Sequence, residues 1–303
     1  MSGQERYATP AAVESAIAAA ARNTSRSNPS LTTSERIRLE YFNRFLSRVF
    51  SEGHVSGWIL KGGTGMLARV ASARATIDVD LTRSGHSLDA ALSELRRLAE
   101  TDLGDFFRFD YTGYVPSIGG DQQAYVDGYR VSFDVSIGAS RKGQLHVDLV
   151  SNVITTDDPE SASPANALDL PKLANHPYRL YSVVDQIADK VCATLSLYNG
   201  RPSSREKDLV DLVVLAVTQD IDGAKLTTAL QVEARMRSLD LPHTLHVPPH
   251  WGANYAKLSK SVPACEQFRT IGDAQSLARS LIEPALDGSA AGRVWNRATL
   301  KWS

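Results

Sequence analysis

Apolar residues recur along this chain with two different periods, and the alternation between them predicts its elements. Thr9-Pro10 reads as an N-cap followed by proline at the first helical position, which predicts a helix to about Asn23. The polar stretch NTSRSNPSLTTS (23–34) reads as a loop. A second helix is predicted from Thr33 or Ser34 to Gly53, with Ile37, Tyr41, Phe45 and Val49 on one apolar face. From Gly57 the pattern changes. Trp58-Ile59-Leu60 predicts a short buried strand, Lys61 to Gly65 a glycine-rich turn, and Met66 to Val70 a helix. Thr76 to Thr82 alternates with the period of a strand. Ser87 to Leu103 predicts a helix with Leu88, Leu92, Leu95 and Leu98 on one side. Three more strands are predicted at Phe106–Val115, Tyr125–Ile137 and Leu145–Val150, with hairpin-turn chemistry at Asp127-Gly128 that would split the second.

After about residue 151 the stretch SNVITTDDPESASPAN is acidic, Ser/Pro-rich and loop-like. Beyond it helices are predicted at Ser182–Tyr198, Ser203–Thr218 and Gly223–Leu239, with two weaker ones near 252–260 and 273–286. No internal repeat is visible. The expected architecture is α+β (mixed α/β) and bi-lobed, with a sheet-containing lobe over 1–155 and a mainly helical lobe over 156–303.

Composition narrows the class. With 303 residues, 43% hydrophobic and 22% charged, the chain is not disordered, collagen-like or a coiled coil. A net charge of -1 means that any nucleic acid must be held by a local patch rather than a global field. The two cysteines, Cys192 and Cys265, lie far apart, which excludes a disulfide scaffold or a Cys-rich zinc site. The opening residues lack a basic leader with a strongly apolar core, and no run of 18 apolar residues occurs. A cytoplasmic protein with no membrane partner is expected.

Candidate chemistry begins at Thr76-Ile77-Asp78-Val79-Asp80-Leu81-Thr82. In a strand, Ile77, Val79 and Leu81 point to the core, and Thr76, Asp78, Asp80 and Thr82 to the other face. The two carboxylates then lie about 7 Å apart along the strand. They form an oxygen-rich half-site for magnesium, which commonly shares its ligands with phosphates. A solvated acidic face would look the same. The preceding Gly62-Gly63-Thr64 adds a backbone able to approach phosphate and a hydroxyl donor, though a plain tight turn would also use these residues.

The segment LKGGTGMLARVASARATIDVDL resembles the Gly-Gly-[Ser/Thr] … Asp-x-Asp core of polymerase β-like nucleotidyltransferases. More closely, the chain resembles AbiEii/AbiGii-type toxin nucleotidyltransferases, which include the mycobacterial MenT toxins. The resemblance covers most of residues 9 to 218, including an Arg-x-Thr-x-Asp-x-Asp segment from Arg74 to Asp80. Residues 219–303 offer no motif that can be matched to it.

What the resemblance implies is a polymerase β-like lobe and a metal-dependent toxin that transfers NMP from an NTP to RNA. The acceptor would be the 3′ end of a tRNA or another RNA, translation would be blocked, and an antitoxin would be the partner. Mg2+ or Mn2+ would sit on Asp78 and Asp80 with a third carboxylate from a later strand, either Asp148 or Asp134. The family's acidic strand precedes the helical lobe, which favours Asp148; His146 on the same face reads as a solvated or hydrogen-bonded residue rather than a base. Lys61, Gly62, Gly63 and Thr64 would bind the triphosphate.

In the helical lobe, Asp-Gln-x-x-Asp-Lys ends in Lys190, which resembles a nucleotide-facing lysine; a solvated lysine paired with Asp185 or Asp189 is the alternative. Arg-Glu-Lys-Asp-x-x-Asp-Leu places Asp211 in an otherwise apolar run, so Asp211 needs a cation, either Lys190 or Lys207. Such a pair could act in catalysis or merely lock two helices together. Arg205 and Lys207 are expected on phosphate or RNA, and Arg74 belongs to a locally basic region. His243, His246 and His250 look like metal ligands, but surrounding prolines and the lack of a carboxylate argue otherwise. Trp295 and Trp302 with Arg293, Arg297 and Lys301 could track RNA or dock the tail on the helical lobe. Two other readings stay open: the same fold acting on a protein or small-molecule hydroxyl, and a non-catalytic nucleotide- or RNA-binding module.

Overall fold

The computed structural model describes residues 6–116, 128–151, 153–198 and 200–303. The expected strand start at Tyr125–Asp127 and the Asp127-Gly128 turn lie outside or at the edge of these residues. The described chain separates into two compact units, and the path between them crosses more than once. The first comprises 1–71, 75–153 and 160–180; the second comprises 72–74, 154–159 and 181–303.

The first unit opens with α1 (Pro10–Ser27), capped by the Thr9 side chain, and α2 (Thr33–Val49). Thr32 and Glu35 close a capping box at the start of α2, each satisfying the other's backbone N–H. Then come β1 (Trp58–Lys61), α3 (Gly62–Arg69), β2 (Val79–Arg83), α4 (Leu88–Ala99), β3 (Phe107–Pro116), β4 (Gly128–Ile137), β5 (Ser140–Val150), β6 (Glu160–Ala162) and β7 (Tyr178–Leu180). They build a mixed seven-stranded sheet in the order β3-β4-β5-β2-β1-β7-β6. β1 runs antiparallel to β2 and parallel to β7, and β2 runs parallel to β5.

Alternation along β4 and β5 separates the two faces of this sheet. Val131, Phe133, Val135 and Ile137 on β4, and Leu145, Val147 and Leu149 on β5, are fully or almost fully buried. Phe45 of α2 packs against Phe109 and Phe133, so α2 covers this apolar face. The helix is buried on more than one side. Arg44 pairs with Glu40, and Arg48 forks onto Asp105 at 2.6 and 3.1 Å, which satisfies charges that burial would otherwise penalise. The intervening residues of β4 and β5 carry the polar face, including Arg130, Ser132, Asp134, His146 and Asp148.

The second unit holds α5 (Val183–Leu195), the short pair β8 (Leu197–Tyr198) and β9 (Arg201–Pro202), α6 (Glu206–Thr218), β10 (Ile221–Asp222) and α7 (Gly223–Met236). It continues with α8 (Gly252–Ser259), α9 (Ile271–Leu286), β11 (Val294–Asn296) and β12 (Lys301–Trp302). α6 is buried along its whole middle, Asp208 to Ala216, as its apolar run predicts. Among the described residues no helix is long and apolar enough to cross a membrane.

Candidate active site

The β1–α3 junction departs from the expected turn. β1 passes directly into α3, and Gly62 and Gly63 are its first helical residues. Gly62 has a φ of +58°, and a Cβ there would lie 1.9 Å from Oδ2 of Asp80. Lys61 stands opposite Asp80 across the β1–β2 pair, which brings that carboxylate to the first residue of α3. A helix start favours negative charge, because its amides lack intrahelical acceptors. The glycine motif therefore makes room for an aspartate of the same chain, where the sequence suggested a phosphate or a plain tight turn. Thr64 is 3% exposed, and its hydroxyl donates to the Asp78 carbonyl at 2.7 Å.

The strand predicted over Thr76–Thr82 begins only at Val79. Side chains take the carbonyls that a ladder would have used. Thr64 and Thr76 donate to the Asp78 carbonyl, and Arg38 donates to the Thr76 carbonyl. Ile77, expected in the core, is 63% exposed, and Thr82, expected on the open face, is buried. Asp78 therefore precedes the strand and Asp80 lies within it.

Strand register brings Asp148, one of the two candidates for a third carboxylate, beside Asp80 on the parallel pair β2–β5. Asp134 instead pairs with Gln144 and is held by Arg141 at 2.9 Å; its pKa is lowered, first by that hydrogen bond and then by one from Gln144. His146 lies within hydrogen-bond distance of Ser132, 3.1 Å from its hydroxyl.

The sequence reading missed Arg130. It stands opposite Asp148 on β4 and donates from Nε to Oδ1 and from Nη2 to Oδ2, both at 2.8 Å. Its Nη2 also lies 3.7 Å from Asp78 Oδ2. Its pKa is raised chiefly by the hydrogen bond to Asp148, with the charges of Asp148, Asp78 and Asp80 adding to it. A single arginine in an alternating strand gives no warning of this, since only the pairing of β4 with β5 supplies its partner. Among the described residues no three acidic, histidine or cysteine side chains form a ready metal cluster. The Asp78 and Asp80 carboxylates still suit a hard divalent cation, and Asp148 gives both its oxygens to Arg130.

In the second unit, Lys190 and Asp211 meet inside the protein. Lys190 Nζ donates to Asp211 Oδ2 at 2.6 Å and to Asp208 at 3.4 Å, with its side chain 4% exposed. Arg74, carried into this unit by residues 72–74, donates to the same Asp211 oxygen at 2.7 Å. Burial alone would lower the Lys190 pKa, but Asp211 and Asp208 outweigh it and raise it. Burial alone would raise that of Asp211, but Lys190 and Arg74 outweigh it and lower it.

The cation for Asp211 is thus Lys190, joined by Arg74, whereas Lys207 is exposed at the start of α6. Arg205, expected on phosphate or RNA, pairs with Asp208. Neither local partner considered for Lys190 holds it. Asp185 accepts from Thr156 and Ser182, and Asp189 pairs with Arg237.

The tail docks through its tryptophans. Trp295 is fully buried with Nε1 donating to the Ala216 carbonyl, and Trp302 donates to that of Ser280. His246 lies beside Arg279, 2.9 Å from its Nη2.

Solved structures that resemble this one include two from Helicobacter pylori. A suspected nucleotidyltransferase from Helicobacter pylori is 13% identical with a TM-score of 0.44, covering 83% of this chain and 97% of its own. JHP933, also from Helicobacter pylori, is 12% identical with a TM-score of 0.44, covering 86% of this chain and 96% of its own. A comparison with curated proteins finds no significant match. The family model described as "Nucleotidyl transferase AbiEii toxin, Type IV TA system" matches residues 44–274. That span takes in both acidic and cationic clusters, and the chain belongs to the AbiEii family of nucleotidyltransferase toxins of toxin–antitoxin systems.

Proposed function

We propose that this toxin transfers a nucleoside monophosphate from an NTP to a hydroxyl of RNA, at the 3′ end of a tRNA, and so blocks translation. The observation that carries the reading is the register of Asp80 against Asp148, with the Asp80 carboxylate against Gly62 at the start of α3 and Asp78 two residues before Asp80 in the chain. Asp78 and Asp80 would hold Mg2+ or Mn2+. When bound, such an ion neutralises phosphate oxygens and stabilises the attacking and leaving groups. The α3 start, with Lys61, Gly62 and Gly63, would receive the triphosphate, since its amides favour anions. Thr64 would serve indirectly, fixing Asp78 through its carbonyl. Asp148 would act from the same sheet face.

Lys190 and Asp211 enter this reading as a bonded pair, with Lys190 supplying positive charge for phosphate and Asp211 holding it in place. Lys207, Arg74 and Arg205 remain candidates for phosphate or RNA. Arg74 and Arg205 would contact RNA in addition to their carboxylate partners. Membership of a toxin–antitoxin family supplies a cognate antitoxin as protein partner.

The test is incubation with each labelled NTP, total tRNA and Mg2+. Label should appear on tRNA and be lost with Asp80→Ala. Label on protein or on a small solute would move the acceptor to another hydroxyl. NTP binding without any Asp80-dependent transfer would leave a binding module and sink the proposal.

A further inference from the structure

The acidic face of the sheet already contains a cation. Arg130 lays both arms of its fork on Asp148 and reaches toward Asp78, so two of three carboxylates meet one guanidinium. An ordinary cross-strand ion pair on a wet sheet face contributes little. This one differs on two counts. The Asp148 side chain is 11% exposed, and the same Nη2 serves a second aspartate outside β5. A divalent ion sharing an oxygen of Asp148 would stand within a few ångströms of the guanidinium and be strongly repelled. Two metal ions and a docked Arg130 therefore compete for one carboxylate.

We infer that Arg130 sets the metal count: it holds Asp148 as a built-in cation, so that Asp78 and Asp80 bind a single divalent ion. This rests on reading the cluster as metal-holding, and adds Arg130 as a positioning residue for Asp148. The arginine fork keeps the Asp148 carboxylate planar with it and fixed against the sheet. Lysine at this position would keep the charge and lose the two-point grip.

The experiment counts Mn2+ ions bound to the full chain, without nucleotide, by electron paramagnetic resonance or calorimetry. Wild type should bind one ion, lost in Asp80→Asn. Arg130→Gln should gain a second ion, which disappears when Asp148→Asn is added. Mn2+ should also raise the melting temperature of Arg130→Gln by more than that of wild type, since its carboxylates lack their resident cation. Arg130→Met guards against a misfolded glutamine variant and should also admit a second ion, whereas Arg130→Lys keeps the charge and should stay at one. Two ions in wild type, or one ion in both Arg130→Gln and Arg130→Met, overturns the inference and leaves the metal reading standing. No Asp80-dependent ion in wild type removes the metal reading and this inference together.

Discussion

Gly62 and Asp80 occupy space that a single methyl group would contest. A Cβ on residue 62 would lie 1.9 Å from Oδ2 of Asp80 and 2.4 Å from its carboxyl carbon. The backbone there also has a φ of +58°, which costs about 1–2 kcal/mol for a residue with a side chain. Gly62→Ala must therefore displace the Asp80 carboxylate or the start of α3. Misplacing a reacting group by about 1 Å can cost ~100-fold in rate, and a loss of that order in nucleotidyl transfer is expected. Gly65→Ala is the control, because its Cβ would meet the Leu60 carbonyl at 3.2 Å and need only a small shift. Equal activity in wild type and Gly62→Ala would mean that Asp80 need not sit where α3 begins.

The two candidates for third carboxylate separate by their neighbours. Asp148 stands beside Asp80, whereas Asp134 is tied to Arg141 and Gln144. Asp148→Asn removes a charge beside Asp80 and one side of the Arg130 fork. A loss of about 100-fold or more in transfer is expected, the scale of one lost electrostatic contact at a reacting centre. Asp134→Asn should change the rate by less than about threefold, since surface substitutions away from such features stay within ±0.5 kcal/mol. A rate profile with the two variants exchanged would assign the role to Asp134.

Asp211 should matter to stability in a pH-dependent way. Its pKa is lowered in the folded protein, by Lys190 and Arg74 against the opposing effect of burial. Its contribution is therefore fully present above the unfolded carboxylate value of about 3.9 and is lost as pH falls through the folded value. The Lys190 pKa is raised, so its contribution is present below about 10.4 and lost as pH rises through the folded value. Between these limits the pair adds a constant amount. Asp211→Asn leaves buried cations short of countercharge and should cost about 3–5 kcal/mol at pH 7. Urea midpoints should show that difference shrinking as pH falls below about 4, where the unfolded chain takes up the proton first, until the folded value is passed. A difference independent of pH would mean that the aspartate acts through packing alone.

These results also show what the sequence could display. Hydrophobic period placed α2, α4 and α5, because each buries a face whose spacing is local, and the Thr9-Pro10 cap placed α1. Thr9, Thr32, Ser87 and Ser182 cap helices with side chains whose chemistry is readable in sequence. The heptad around Asp78 misled because its alternation is genuine but its carbonyls are claimed by Thr64, Thr76 and Arg38, two of them distant in sequence. Arg130 was invisible for a related reason: an arginine on a strand gains meaning only from the register of its neighbour. Likewise Arg74 reaches Asp211 across 137 positions of chain, a separation that no spacing rule spans.

The last expectation concerns the basic, tryptophan-bearing tail. Trp295 is fully buried against Trp302, with ring centroids 5.8 Å apart, and its Nε1 donates to the Ala216 carbonyl at 2.7 Å. Arg293 donates to the Trp302 carbonyl and Arg297 to that of Thr218, so two of the tail's cations serve the backbone around them. Trp295→Ala should cost about 3–5 kcal/mol, the range for emptying a buried aromatic site. The double variant Arg297→Ala, Lys301→Ala touches exposed side chains and should leave both the unfolding midpoint and the salt dependence of tRNA binding near wild type. A flatter salt slope would instead reveal phosphate contacts, since each one lost lowers that slope by about 0.7–0.9. Chemical denaturation and filter binding at several salt concentrations, run on both variants, separate a tail that holds the helical unit together from one that holds RNA.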